Sequence, residues 1–190
     1  TIANASDLPM IVFQYPPATG QGYPAATLER LFEEVPTIRA IKDWTPQVPQ
    51  HESQIRALQG RRPPINVLST NGAWLLSSLV LGCNGLLSGS GSVIADLQAR
   101  LFRAVKANDL AEARRLNDRI YPTARVFYAD PFVDMHNRMK EALVLLGKLP
   151  RAVVRPPLVK ISGAEILRIR DALVEAGLLD SNAALGLNAA

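Results

Sequence analysis

Four short apolar runs punctuate the first half of the chain: MIVFQY (10–15), IRAIKD (38–43), INVLS (65–69) and GLLSG (85–89). Between them, apolar positions recur with a helical period around 24–35, 48–59 and 73–81, and this alternation of extended and helical patterns predicts successive βα units. The runs start about 28, 27 and 20 residues apart, enough for a helix to carry the chain back each time, so the strands are expected to run parallel. Runs that are apolar on both faces suit a sheet covered on both sides.

Beyond the fourth run the pattern is helical only. Residues 92–128 carry two amphipathic helices with a break at Asn-Asp-Leu, where Asn108 or Asp109 can cap the second start. The stretch DPFVDMHNRMKEALVLLG (130–147) reads as a further helix, with Asp130 as N-cap, Pro131 in its first turn and Gly147 at its end. An extended connector stiffened by Pro156 and Pro157 leads to a last helix opened by Ser162 with Glu165 three residues on, the pattern of a capping box. The tail after Leu179 reads as frayed.

Composition narrows the class. The chain has 190 residues, 48% of them hydrophobic and 20% charged, which describes a globular protein with room for a sizeable core. The single Cys83 cannot close an internal disulfide, and with no basic-plus-apolar leader at its start the expectation is a reducing, cytoplasmic setting. The longest apolar run, AWLLSSLVLGC, is about half of the ~20 residues a spanning helix needs, so no membrane partner is expected. A net charge of +4 clusters tightly only at Arg61 and Arg62, which argues against nucleic acid and for a small anionic ligand. His51 and His136 have no partners at metal-ligand spacing, so no metal site and no cofactor are expected.

One cation stands out. Within IRAIKD, Ile38, Ala40 and Lys42 share one strand face while Arg39, Ile41 and Asp43 share the other. Lys42 thus extends an apolar row at the carboxyl end of its strand, where the βα loops of barrels and open α/β sheets converge on their sites. A lysine in such a setting loses ammonium solvation, and its pKa falls until some neutral amine is available to attack a carbonyl. The alternative is a lysine that snorkels to the rim or pairs with an acid such as Asp43.

The neighbouring run bears on this choice. VFQYPPATG (12–20), LERLFEEVPTIRAIKDW (28–44), NVLSTNGAW, GCNGLLSGSGSV, NDLAEARRLNDRIYP and ALVEAGLL resemble, in that order, the second half of the dihydrodipicolinate synthase and N-acetylneuraminate lyase family. That family comprises (β/α)8 class I aldolases whose fifth strand ends Tyr-Asn-x-Pro-x-x-Thr-Gly and whose sixth ends Gly-x-Lys. The resemblance implies an α/β fold that is the second half of a (β/α)8 TIM barrel, with about four βα units in 1–107, a helical extension over 108–179 and a tail over 180–190. Because the chain starts at Thr1 rather than Met, it is expected to be a fragment. The resemblance further implies that Lys42 forms an imine with pyruvate or another 2-oxo acid, and that the full-length protein is a homo-oligomer, dimer or tetramer.

The sequence also departs from the pattern. Phe13 occupies the position of the tyrosine that shuttles protons in the family and has no hydroxyl. Tyr15 shares its strand face one step nearer the rim and is either a substitute phenol or a packing residue held extended before Pro16. Ala18 stands where dihydrodipicolinate synthases usually carry an arginine for the second substrate's carboxylate, and the loop with Thr70, Asn71 and Gly72 lacks the acids of sialic-acid lyases. Both of those substrates are therefore disfavoured. Thr19, Ser69, Thr70, Leu87 and Ser88 are the candidate substrate contacts, while Asn71 before Gly72 also suits loop capping. Trp44 either caps the pocket or packs on a helix, Cys83 reads as packing, and Asp43, facing away, is a poor catalytic choice. Two rival readings stay open: an anion site at the amides of SGSGSV (88–93) with Lys42 as a charge clamp, and a non-catalytic relative.

Overall fold

The structure, a computed structural model, describes residues 2–16 and 19–182. Ala18 and most of the expected tail, 180–190, lie outside the described residues. The chain divides into two compact units, Thr1–Ser88 and Gly89–Ala190.

The first unit is built of βα repeats. Strands β1 (Met10–Gln14), β2 (Ile38–Asp43), β3 (Asn66–Ser69) and β4 (Gly85–Leu86) alternate with helices α1 (Ala25–Glu34), α2 (Val48–Gln59) and α3 (Leu75–Val80). The strands form one sheet in the order β1-β2-β3-β4, and every pairing is parallel, as the spacing of the apolar runs requires. Phe13, Lys42, Leu68 and Gly85 lie in one register row, and Gln14, Asp43, Ser69 and Leu86 in the next. Neighbours in a row point to the same face of a sheet, and successive rows to opposite faces.

Those two faces differ in cover. Ile41, Asp43, Val67 and Ser69 are wholly buried on the side taken by α2 and α3, whose inward stripes carry His51, Ile55 and Leu58, and Leu75, Ser78 and Leu79. On the other face Ile11 is 51% exposed and Phe13 37%, so the expectation of a sheet covered on both sides does not hold within this unit. The fourth strand is shorter than the run 85–89 predicts. Leu87 still donates to the Ser69 carbonyl at 2.8 Å, but Ser88 and Gly89 leave the ladder.

The second unit is helical: α4 (Gly91–Lys106), α5 (Leu110–Phe127), α6 (Met135–Leu145) and α7 (Gly163–Glu175). Helix α4, which the resemblance counts within 1–107, packs against α5 and lies in this unit. Asp109 is the cap at the Asn-Asp-Leu break, accepting from the Glu112 amide at 3.0 Å, while Asn108 takes the left-handed turn at φ 57°. Asp130 is not a helix cap. Pro131, which would have been the first helical residue, is itself extended, so a 3-10 turn follows over Phe132–Asp134 and α6 starts only at Met135. Ser162 caps α7 by accepting from the Glu165 amide at 3.2 Å. The return bond of a capping box is missing because the Glu165 carboxylate pairs instead with the buried guanidinium of Arg138.

Candidate active site

The carboxyl end of β2 places two ionisable residues back to back. Lys42 emerges on the open face, half-buried, and desolvation holds its pKa below the ordinary lysine value of 10.5. Its Nζ lies 4.3 Å from the centre of the Phe13 ring, directly beside it in the register. The Phe13 ring is 4.4 Å from that of Tyr15, and Tyr15 meets Trp44 edge-on at 5.0 Å. The three residues assigned to chemistry from the sequence, Lys42, Phe13 and Tyr15, are thus brought together. Trp44 joins them through Tyr15.

The candidate substrate contacts are placed less uniformly. The Thr19 hydroxyl donates to the Pro16 carbonyl at 2.7 Å and accepts from the Gln21 amide, closing an exposed turn. Ser69 lies in the Asp43 row, facing away from Lys42; it is fully buried, and its hydroxyl accepts from the Asn71 amide at 3.3 Å. Asn71 is also turned inward, its side-chain amide donating to the Thr45 carbonyl at 3.2 Å, which is the loop-capping role. Thr70 extends the sheet by an amide bond of 3.0 Å to the Asp43 carbonyl and is nearly buried. Leu87 is exposed beyond β4, with Ser88 next to it.

The other side of β2 holds what the sequence reasoning missed. Asp43 accepts from the Thr45 amide at 3.1 Å and the Thr45 hydroxyl at 2.7 Å through one oxygen, and lies 2.5 Å from His51 Nδ1 through the other. His51 Nε2 lies 2.6 Å from the Ser78 hydroxyl, which donates to the Cys83 sulfur at 3.4 Å, and Cys83 donates to the Gly85 carbonyl at 3.4 Å. All four side chains are fully buried. Burial alone disfavours the imidazolium, but the hydrogen bond and charge of Asp43, together with Cys83, outweigh it and push the His51 pKa up to about 9. A charged His51 donates from both ring nitrogens, which gives every bond in the chain a consistent direction. A signal was present: His51 falls on the apolar stripe of α2 with Ile55 and Leu58, and a buried imidazole requires partners.

Three amides of SGSGSV are engaged within the protein: Ser92 donates to the Gly89 carbonyl at 3.2 Å, Val93 to the Ser90 carbonyl at 2.9 Å and Ser90 to the Tyr128 hydroxyl at 3.4 Å. Among the described residues no three His, Cys, Asp or Glu side chains group as metal ligands, and no helix is long and apolar enough to cross a membrane.

A parallel sheet whose strands alternate with helices places the chain among α/β proteins. More narrowly, residues 1–176 match the dihydrodipicolinate synthetase family, and the chain belongs to it. Among curated relatives, the putative 2-dehydro-3-deoxy-D-gluconate aldolase YagE of Escherichia coli (strain K12) is 30% identical over 157 residues, 82% of this chain and 51% of that protein. The 4-hydroxy-tetrahydrodipicolinate synthase of Nitratidesulfovibrio vulgaris (strain DP4) is 32% identical over 180 residues, 94% of this chain and 59% of that protein. The crystal structure of YagE in complex with pyruvate matches with a TM-score of 0.80 at 27% identity, covering 93% of this chain and 59% of that one. The chain therefore spans little more than half the length of the relatives it matches.

Proposed function

We propose that this chain is the second, imine-forming half of a (β/α)8 Schiff-base lyase acting on pyruvate or another 2-oxo acid. The carrying observation is Lys42, part-desolvated at the end of β2 on the face where Phe13 takes the place of the family tyrosine. A neutral Lys42 amine adds to the C2 carbonyl, the carbinolamine loses water, and the protonated imine becomes an electron sink for the adjacent bond. Aldol cleavage, aldol condensation and dehydration all follow from that intermediate. Phe13 cannot move a proton, so Tyr15, in ring contact with it, is assigned the relay. This reading carries with it a cytoplasmic setting and assembly of the full-length protein into a dimer or tetramer. The open sheet face at Ile11 and Phe13 supports the half-barrel reading, since in a closed barrel that face is filled by side chains from the remaining strands.

Borohydride reduction of the full-length protein with pyruvate tests the proposal. It is expected to add the mass of the reduced adduct at Lys42 alone. Labelling at Lys106 or Lys140 instead would overturn Lys42 as the imine residue, and no labelling would assign the chain to a non-catalytic branch, which the missing hydroxyl at Phe13 supports.

A further inference from the structure

The four residues on the open side of the β1–β2 pair form a graded patch. Phe13 and Lys42 make one register row, and the ladder runs a step past the strands, the Trp44 amide donating to the Gln14 carbonyl at 3.0 Å. Tyr15 and Trp44 therefore make the next row on the same face, and their rings confirm it: Tyr15 touches Phe13 at 4.4 Å and Trp44 at 5.0 Å. The amine sits below and two aromatic rings stand at the rim, both part-exposed.

Among the described residues of this rim, five polar side chains are already engaged with the backbone or with one another. Gln14 uses both amide atoms on the Tyr23 backbone, Thr19 bonds the Pro16 carbonyl, Thr45 bonds Asp43, Ser69 accepts from the Asn71 amide, and Asn71 donates to the Thr45 carbonyl. A polyhydroxylated partner needs convergent donors and acceptors, because a site built for hydroxyls discriminates by pairing each of them. What this rim presents is ring surface, which gains by stacking and by burying flat apolar groups.

Resting on the Schiff-base reading above, we propose that the carbonyl partner of the Lys42 imine carries an aryl or similarly flat apolar substituent, stacked on Tyr15 and Trp44. In the synthetic direction the enamine of pyruvate on Lys42 donates its electron pair to the aldehyde carbon and forms the C–C bond. The aldehyde oxygen takes up a proton and becomes a hydroxyl. Water then hydrolyses the imine, returning the amine and releasing a 4-hydroxy-2-oxo acid that bears the aryl group. Cleavage is the same sequence reversed.

The test measures kcat/KM for condensation of pyruvate with benzaldehyde and with D-glyceraldehyde on the full-length protein, beside borohydride trapping of pyruvate alone. Benzaldehyde is expected to lead by about tenfold, the scale of one or two ring contacts. Trp44→Ala, or Trp44→Leu if the smaller side chain compromises folding, is expected to cut that ratio several-fold, mainly through KM for benzaldehyde. A preference for glyceraldehyde, or a ratio unmoved by both Trp44 variants, overturns the aryl assignment while trapping at Lys42 still upholds the lyase. Absence of pyruvate trapping at Lys42 overturns both.

Discussion

The two faces at the end of β2 are neighbours in sequence and opposites in physics. Lys42 looks onto an open face of rings, where it lies against the quadrupole of Phe13. Asp43, one residue on, looks into a closed space in which both of its oxygens are bonded and a chain of four side chains joins β2, α2, α3 and the approach to β4. A group meant to react has to be desolvated yet reachable, and such a group contributes little to holding the fold. A buried ion pair that is fully hydrogen-bonded does the reverse. It fixes the strand end that carries Lys42.

This contrast can be broken on either side. The largest effect belongs to the open face: Tyr15→Phe is expected to lower turnover by about 10²–10⁴, the usual contribution of a positioned general acid–base group, with trapping at Lys42 preserved. Phe13→Tyr added to that variant should restore part of the loss; unchanged turnover in Tyr15→Phe would reduce this residue to stacking.

A second, somewhat smaller effect compares the faces directly. Asp43→Ala leaves a buried imidazolium without its partner and is expected to cost about 3–5 kcal/mol of stability. Lys42→Met, next door, is expected to shift stability by less than about 1 kcal/mol. Denaturant melts of the two variants decide the matter, and equal losses would dissolve the distinction.

The smallest effect is one of pH, and here the faces oppose each other. His51 has a folded pKa of about 9 against an ordinary 6.5, so its contribution to stability is whole below pH 6.5, shrinks as pH rises through that window and is gone above about 9. Lys42, lowered from 10.5, works the other way: its desolvation counts against the fold while it is protonated, and the penalty lifts as pH climbs towards 10.5. Stability measured across pH 6–10 should therefore fall through the His51 window, and His51→Gln should flatten that fall.

Much of this was legible beforehand, for identifiable reasons. The strands are runs whose apolar character survives one-dimensional reading, and strand parity alone put Lys42 and Asp43 on opposite faces of one strand and Phe13 with Tyr15 on one face of another. The same parity set Ser69 in the Asp43 row once the register was known, but register depends on pairing, which no single run specifies. The Asp43–His51–Ser78 chain joins positions from three elements, and its partners became visible only after the helices were placed. At Asp130 a good capping residue lost its role because Pro131 is extended and the helix begins only at Met135.

The chain of bonds behind β2 ends at Cys83, the one cysteine of these 190 residues, sealed from solvent between Ser78 and the Gly85 carbonyl. An alkylating reagent can reach that sulfur only while α3 and the approach to β4 part from the sheet. Where reclosure outruns the reagent, the labelling rate reports the fraction of time this corner stands open. Cys83 is thus a built-in clock for the breathing of the layer that holds Lys42 in aim, readable without any engineered probe.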